Sequence, residues 1–205
     1  MRLTLGIKKR IENLEEAFWD SLFGINTRSI GNDHHLETVF GGPTCYQSKC
    51  YYLIWRYFRP VRMTNNDVFY DIGCGSGRML CVASLTSVRQ CVGIEASARL
   101  SEEARNNVGR FRFRHAPIEI RTQDAAAADY TSGTVFALFN PFGPATMKVV
   151  LDSIGESLER SPRRIQLIYI NPTAQQVFDR AKWLHLVATK SFVGSPLSVC
   201  YYQNK

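Results

Sequence analysis

The stretch that most restricts the fold of this chain is a glycine-rich segment at residues 67–78, with the sequence Asp-Val-Phe-Tyr-Asp-Ile-Gly-Cys-Gly-Ser-Gly-Arg. Its first half is crowded with β-branched and aromatic residues, which is typical of a buried parallel strand. The glycines follow at once, and the apolar run at 79–83 predicts a helix behind them. Such a turn lets backbone N–H groups approach a ligand closely, next to a helix N-terminus that favours negative charge. The segment predicts a ligand-binding turn, although an ordinary strand-to-helix turn would share its composition.

The glycine spacing distinguishes two kinds of cofactor. A dinucleotide site needs a third glycine three residues after the second, and Arg78 stands at that position. The segment instead reads Asp71-x-Gly73-x-Gly75-x-Gly77, with an acid two residues before the first glycine. This acid would repel a pyrophosphate but suits a cofactor that carries an ammonium group. In this respect the segment resembles the first motif of the class I S-adenosylmethionine-dependent methyltransferases.

Short apolar strands alternate with helical segments along the rest of the chain. The predicted strands are 68–72, 90–95, 118–124, 134–139, 165–170, 183–192 and 197–203, and the predicted helices between them are 79–83, 97–107, 147–158 and 174–182. Alternation requires a parallel sheet with helices on both faces, whereas the last two strands are too close for a crossover helix and must be antiparallel. We therefore predict an α/β, Rossmann-like, seven-stranded and mostly parallel sheet with an antiparallel C-terminal hairpin, which is also the fold that the resemblance implies.

The N-terminal part is predicted to be a helical cap, residues 1–62, on the substrate side of a methyltransferase domain at 63–205. Its first helix, 7–23, places apolar residues at three- and four-residue spacings, and this apolar face is expected to cover an apolar surface. Gly24 is expected to end the helix. These apolar residues are Ile7, Ile11, Leu14, Phe18 and Leu22. A second helix is predicted at 51–58. The polar, turn-rich stretch between the two helices is of the kind that carries function.

Polar residues end the first four predicted strands, where ligands bind in open α/β sheets. The residues are Asp71, Glu95, Asp124 and Asn140. The resemblance implies that Asp71 and the glycine turn face the methionyl part of S-adenosylmethionine, that Glu95 takes the ribose hydroxyls and that Asp124 accepts from the adenine amino group. The implied cofactor-binding residues are Asp71, Gly73, Cys74, Gly75, Gly77, Glu95, Ala96, Asp124 and Asn140. Asp124 could equally cap a helix before four alanines, and both roles are compatible.

The segment Asn140-Pro141-Phe142 takes the place of the family's fourth motif, beside the transferring methyl group. It is similar to the Asn-Pro-Pro-aromatic motif of amino-methylating enzymes, although it has one proline rather than two. It also resembles the non-SET histone lysine methyltransferases, in which case Tyr46 could close over the cofactor. The implied catalytic residues are Asn140, Pro141, Phe142 and Tyr46. A strand-terminating turn is the alternative for the segment.

A general base is needed only if the acceptor is protonated, because methyl transfer depends mainly on alignment and desolvation. The candidates lie in the stretch between the two N-terminal helices: His34, His35, Glu37 and Tyr46. Paired histidines in such a stretch could equally be solvated. We therefore predict a methyltransferase that acts on a nitrogen of a small molecule or a protein side chain. The alternatives are O- or C-methylation of a metabolite, or a catalytically silent RNA-binding module.

The formal net charge of +7 leaves nucleic acid possible as a partner, though not favoured. Residues 110–115, Arg-Phe-Arg-Phe-Arg-His, could form an RNA-binding surface, but we favour a half-exposed strand with Phe111 and Phe113 turned inward. The six cysteines show no metal-ligand pattern, so no metal is predicted. Cys74, Cys81 and Cys91 are expected to be buried and reduced, while a Cys45–Cys50 pair or metal site is possible but not favoured. No apolar run is long enough to span a bilayer, so we expect a cytoplasmic enzyme without a membrane partner.

Overall fold

The structure is a computed structural model, and it describes residues 2–27, 49–139 and 142–205, with the backbone alone for residues 2–6 and 8. The strands are β1 Val68–Ile72, β2 Gln90–Glu95, β3 Ile118–Thr122, β4 Val135–Phe139, β5 Gln166–Ile170, β6 Leu184–Ser191 and β7 Ser198–Asn204. The helices are α1 Arg2–Phe23, α2 Tyr51–Phe58, α3 Arg78–Ala83, α4 Ala98–Arg110, α5 Pro144–Arg160 and α6 Gln175–Arg180. A short 3₁₀ turn, Ala125–Ala127, lies between β3 and β4. None of the described helices has both the length and the apolar character needed to cross a membrane.

The strands form a seven-stranded sheet in the order β3-β2-β1-β4-β5-β7-β6. Neighbouring strands are parallel from β3 to β5, whereas β7 is antiparallel to both β5 and β6. The predicted Rossmann-like sheet with its antiparallel C-terminal hairpin is therefore confirmed. Because β1 pairs with both β2 and β4, the strand order reverses at β1, and the carboxyl end of β1 is the place where such sheets bind ligands.

The core consists of two apolar layers, one on each face of the sheet. Phe69 of β1 points to the layer that α2, α3 and the end of α4 cover, and its ring contacts Phe58 at 5.2 Å between centroids. Tyr70, its neighbour, points to the layer beneath α5 and α6, where it contacts Tyr130 and Phe136. All five residues of β1 are buried, as expected for a strand that is covered on both faces.

The prediction that the apolar face of α1 covers an apolar surface is wrong. The exposed fractions are 54% for Ile7, 61% for Ile11, 71% for Leu14, 60% for Phe18 and 51% for Leu22. The helix instead packs on the protein through the opposite face, on which Asp20 and Phe23 are buried and Glu16 is mostly buried. The reason is electrostatic: the buried guanidinium of Arg78 needs the carboxylates of Glu16 and Asp20, so the face that carries them turns inward.

The prediction of a strand at residues 110–115 is also wrong. Helix α4 continues to Arg110, and no strand is assigned to the residues that follow it before β3. Phe111 is buried, but Phe113 is 49% exposed, so the two rings do not share an inward face. The Arg114 guanidinium donates to the carbonyl oxygens of Val108 and Phe111, at 2.7 and 2.9 Å, and so satisfies carbonyls at the end of α4.

Local signals mark the ends of three helices, and the predicted stop at Gly24 is confirmed. Gly24 ends α1 with a φ of +69°, which favours glycine. Ser97 precedes α4, and its side chain accepts a hydrogen bond from the Leu100 N–H. Pro144 stands in the first turn of α5, where its missing N–H costs nothing.

Candidate cofactor and acceptor site

The glycine turn connects the end of β1 to α3 in a conformation that requires its glycines. Gly73, Gly75 and Gly77 have φ values of +81°, +54° and +89°, in the left-handed region that favours glycine. The N–H groups of Gly73 and Cys74 both donate to the Ile94 carbonyl, at 2.8 and 3.0 Å, which fastens the turn to β2. The turn therefore has a fixed position at the carboxyl edge of the sheet.

The Asp71 carboxyl group is the main electrostatic feature of this edge. Its side chain is 1% exposed, and neither carboxyl oxygen has a hydrogen-bond partner among the described residues. Burial, together with the nearby Glu95 carboxylate, raises the pKa of Asp71 to about 8. A buried carboxylate without a donor is unfavourable, so a ligand that brings N–H groups and a positive charge would relieve this cost. The ammonium group of S-adenosylmethionine has both properties, and the site fits the cofactor in this respect.

The Glu95 carboxylate connects the glycine turn to the start of α4. One oxygen accepts from the Gly75 N–H and the other from the Ser97 N–H, both at 2.9 Å. A carboxylate offers about four lone-pair positions, so roughly two remain for hydroxyl donors such as those of a ribose. Ala96, which lies between Glu95 and Ser97 in the sequence, is exposed. The arrangement fixes the position of the Glu95 side chain independently of any ligand.

Asp124 follows β3 and is half-buried. One of its carboxylate oxygens accepts from the Ala126 N–H at 2.9 Å and caps the 3₁₀ turn. The capping alternative is therefore confirmed, and it engages one of the two oxygens. The sheet register places Glu95 opposite Thr122 and Asp71 opposite Gly93, so the three acidic residues lie at the ends of three adjacent strands.

The segment predicted to lie on the acceptor side follows β4. This strand pairs with β1 so that Leu138 lies opposite Ile72, which brings Phe139 beside the start of the glycine turn. The Lys49 ammonium lies 5.7 Å from the centre of the Phe139 ring, and Phe142 is half-buried and packs on the core beneath α5. Several predicted residues lie outside the described ranges, namely His34, His35, Glu37, Tyr46, Asn140 and Pro141.

Arg78 is a buried residue near the site whose structural role the sequence did not reveal. Its guanidinium lies 3.1 Å from a Glu16 carboxylate oxygen and 3.8 Å from an Asp20 oxygen. It also donates to the Thr27 hydroxyl and to the Lys49 carbonyl, at 2.6 and 2.9 Å. A cation in the first turn of a helix opposes the helix dipole, and this was the available signal that Arg78 has anionic partners elsewhere.

Asn107 is a second such residue, at the far end of α4. Its amide donates to the carbonyl oxygens of Ser76 and Asn26, both at 2.9 Å, and its own carbonyl accepts from the Asn26 N–H at 2.9 Å. One side chain thus connects the glycine turn, α4 and the segment after α1. No sequence pattern distinguishes Asn107 from a solvated helix residue.

The five described cysteines are buried and free, so the prediction for Cys74, Cys81 and Cys91 is confirmed. Cys45 lies outside the described residues, and the pairing alternative for Cys50 therefore stays untested. Within the described part of the chain, no group of three histidine, cysteine or acidic side chains is placed to hold a metal ion.

Comparison with protein families finds a match to the family described as histone methylation protein DOT1, over residues 38–132. The matched part, which is less than half of the chain, contains the glycine turn, Glu95 and Asp124. A comparison with curated protein sequences finds no match.

Solved structures with the same fold include several methyltransferases. An RNA methyltransferase from Salinibacter ruber in complex with S-adenosyl-L-homocysteine has 22% identity and a TM-score of 0.59, covering 77% of this chain and 94% of that one. A ribosomal protein L11 methylase from Lactobacillus delbrueckii subsp. bulgaricus has 13% identity and a TM-score of 0.55, covering 75% and 77% of the two chains. The N-methyltransferase NodS from Bradyrhizobium japonicum has 11% identity and a TM-score of 0.54, covering 75% and 93%.

These identities support the fold alone, and the first two proteins are named for different acceptors, RNA and a ribosomal protein. The family match, the strand order and the acidic strand ends around a glycine turn agree on the cofactor. The chain is a class I S-adenosylmethionine-dependent methyltransferase.

Proposed function

We propose that the enzyme transfers the methyl group of S-adenosylmethionine to a nitrogen atom of a small molecule or a protein side chain. The observation that carries the proposal is the pairing of β4 with β1, because β4 ends at the edge that holds Asp71 and the sequence Asn140-Pro141-Phe142 comes directly after it. The match to a histone methylation family and the likeness to an N-methyltransferase are consistent with a nitrogen acceptor. In this proposal residues 1–62 form the substrate-side cap of the domain at 63–205.

The cofactor side of the reaction requires a fixed position for the donor. S-adenosylmethionine supplies an electrophilic methyl group on its sulfonium sulfur. Asp71 would bind the ammonium end of the cofactor and ionise in doing so, since that charge lowers the cost of a buried carboxylate. Glu95 would take the ribose hydroxyls with its remaining lone pairs, and Asp124 would accept from the adenine amino group. These contacts hold the methyl group in place, and alignment supplies much of the rate for such a displacement.

On the acceptor side, the Asn140 side-chain oxygen would accept a hydrogen bond from the target nitrogen and so orient its lone pair towards the methyl group. Phe142 packs on the core beneath α5, which favours a role in holding this turn in position. Tyr46 would close over the cofactor. Positive charge disperses from sulfur during the transfer, so exclusion of water contributes more than a strong base.

The test is methyl transfer from labelled S-adenosylmethionine to separate pools of small amines, proteins and RNA, with the methylated atom identified by mass spectrometry. Asn140→Ala should lower kcat about 100-fold or more and leave cofactor affinity unchanged, because the contact is made to the reacting group. Asn140→Asp should also be slow, since its charge would hold an amine acceptor in the protonated form. Asn66→Ala, in an exposed turn before β1, is the matched control.

Three results would contradict the proposal. Methyl groups found on oxygen or carbon would show that the acceptor atom is not nitrogen. Methyl groups found on RNA bases would show that the substrate is RNA rather than a small molecule or a protein. Unchanged turnover in both Asn140 variants would leave Asn140 as a strand-ending turn residue.

A further inference from the structure

The glycine turn is held by side chains at two points around Ser76. Just before Ser76, the Gly75 N–H donates to the Glu95 carboxylate at 2.9 Å. The Ser76 carbonyl itself accepts from the Asn107 amide, also at 2.9 Å. Ser76 and Asn107 are 2% and 5% exposed, and a buried carbonyl is rarely left without a donor. The Asn107 amide therefore restrains the orientation of the peptide group that follows Ser76.

The Asn107 side chain also pairs with the backbone of the segment after α1. Its amide donates to the Asn26 carbonyl, and its own carbonyl accepts from the Asn26 N–H, both at 2.9 Å. A carboxamide has two N–H donors, and both are engaged, one by Asn26 and one by Ser76. Because the carboxamide is one planar group, a movement of Asn26 that rotates it would also disturb its contact with Ser76. The position of this segment and the conformation of the glycine turn are therefore linked.

A second contact joins the same segment to the turn. The Ser76 hydroxyl donates to the Thr27 carbonyl at 3.4 Å. Thr27 is fully buried, and its N–H donates to the Asp20 carboxylate of α1 at 2.8 Å. The Ile25 N–H donates to the Asp20 carbonyl at 2.9 Å. Residues 24–27 are therefore held both by α1 and by the glycine turn.

Helix α4 packs closely on the turn beside Asn107. A Cβ atom at Gly77 would lie 3.4 Å from the Ala104 Cβ and 3.8 Å from the Val108 Cγ1. An apolar residue at position 107 would extend that packing, whereas a buried amide costs free energy unless its hydrogen bonds are made. The polar side chain at this place therefore indicates that the direction of the Asn107 contacts matters in addition to packing.

We propose that Asn107 is a positioning residue for S-adenosylmethionine, because it joins residues 24–27 to the glycine turn of the proposed cofactor site. Gly75 and Gly77, with φ values of +54° and +89°, lie on either side of Ser76, and glycines by themselves allow many conformations. The Asn107 contact restrains the turn, so less conformational entropy is lost when the cofactor binds. Coupling between two sites is reciprocal, so cofactor binding stabilises the docked position of residues 24–27 by the same factor. The proposal rests on the cofactor contacts of the proposed function and is independent of the acceptor.

Calorimetry with S-adenosylhomocysteine tests the effect on binding. Asn107→Ala should weaken binding about 10-fold or more, and Asn107→Asp should do the same, because it keeps an acceptor for the Asn26 N–H but loses both donors. Asn106→Ala, at the exposed neighbouring position of α4, is the matched control and should bind like the parent. Ile154→Ala controls for a general loss of stability, since it opens a cavity in the apolar layer on the other face of the sheet, and should also bind like the parent. Parent-like affinity in a folded Asn107→Ala protein would overturn the proposal, whereas a parent protein that does not bind would overturn the cofactor contacts themselves.

Hydrogen exchange measured by mass spectrometry tests the coupling in the parent protein, whether or not the variants fold. S-adenosylhomocysteine should slow exchange at residues 20–27 about 10-fold, and should slow exchange at residues 151–160, in the C-terminal half of α5, by clearly less. In Asn107→Ala this difference between the two segments should disappear. Equal slowing of both segments in the parent would indicate general stabilisation and overturn the coupling. A difference that persists in Asn107→Ala would overturn the role of Asn107, because another contact would then carry the coupling.

Discussion

Replacing Asp71 with asparagine should stabilise the ligand-free enzyme at neutral and basic pH while it weakens binding of the cofactor. The Asp71 carboxyl group is buried, has no hydrogen-bond partner among the described residues, and has a pKa raised to about 8 by burial and by Glu95. Asparagine has nearly the same shape but never carries the charge. The substitution therefore separates the cost of a buried carboxylate from its use in binding.

The sign and size of the effect follow from proton linkage. In the unfolded chain Asp71 ionises near its ordinary pKa of 3.8, whereas in the folded protein it keeps its proton to about pH 8. Between these values the folded state binds one more proton, so the free energy of unfolding falls by about 1.4 kcal/mol per pH unit. Over about four pH units the parent protein loses about 5 kcal/mol of stability. The variant avoids this loss, but burial of its amide without a hydrogen-bond partner costs about 1–3 kcal/mol. The net gain for Asp71→Asn at pH 8 is about 2–4 kcal/mol, or roughly 5–15 °C in Tm.

The assay is thermal unfolding of the parent and Asp71→Asn from about pH 5 to pH 8.5, with and without excess S-adenosylhomocysteine. Without ligand, the unfolding temperatures of the two proteins should differ little near pH 5. As pH rises, the unfolding temperature of the variant should exceed that of the parent by an increasing amount. With ligand, the parent should gain more than the variant. Asp152→Asn, at an exposed position of α5, is the control and should change little at any pH. A variant that is less stable than the parent at pH 8, or a difference that does not change with pH, would refute the reasoning.

Three further substitutions test the surroundings of the site. Glu95→Ala should weaken binding of S-adenosylhomocysteine by about 1–3 kcal/mol in calorimetry, since it leaves two backbone N–H groups of the site without their acceptor; unchanged affinity would remove Glu95 from the site. Gly93→Ala should lower the free energy of urea unfolding by about 1–3 kcal/mol, because its Cβ would lie 2.5 Å from Leu80 Cδ1, while Gly109→Ala, in open space on α4, should cost nothing or stabilise. Arg78→Met should cost about 3–5 kcal/mol in the same assay, because it leaves buried carboxylates unpaired; a cost below about 1 kcal/mol would show that they are paired elsewhere.

The sequence was sufficient for the sheet but not for the orientation of α1. Strands such as β1 are continuous apolar runs bounded by glycines, so their position and their burial are local properties. The periodicity of α1 predicted the helix correctly and the buried face wrongly, because Arg78, more than fifty residues away, determines which face turns inward. The strand predicted at residues 110–115 failed for a similar reason, because alternation of arginine and phenylalanine is not specific to a strand. Here Phe111 is buried in the core and Arg114 donates hydrogen bonds to carbonyl oxygens at the end of α4.

Some residues of the candidate site could be identified from the sequence and others could not. The acids at the ends of β1 and β2 could be identified because they follow recognisable strands, and the sheet order then brings them together. The Arg78 and Asn107 contacts could not be identified, since Arg78 to Thr27 spans 51 positions and Asn107 to Asn26 spans 81. No local pattern records contacts at such separations. The parts of the site that depend on a strand end were predictable, and the parts that hold the N-terminal segment to the glycine turn were not.

The contacts of the Arg78 side chain bear on how freely residues 28–48 can vary. Its guanidinium binds the Thr27 hydroxyl and the Lys49 carbonyl, so both boundaries of residues 28–48 lie within reach of one buried group. The entropy of closing a chain segment grows only with the logarithm of its length, about 0.6 kcal/mol for each doubling. Exchange of residues 28–48 for a segment of another length would therefore change the entropy of closing this segment little. If residues 28–48 contact the acceptor, as the proposed function has it, such exchanges would change acceptor preference and leave the cofactor half of the enzyme unchanged.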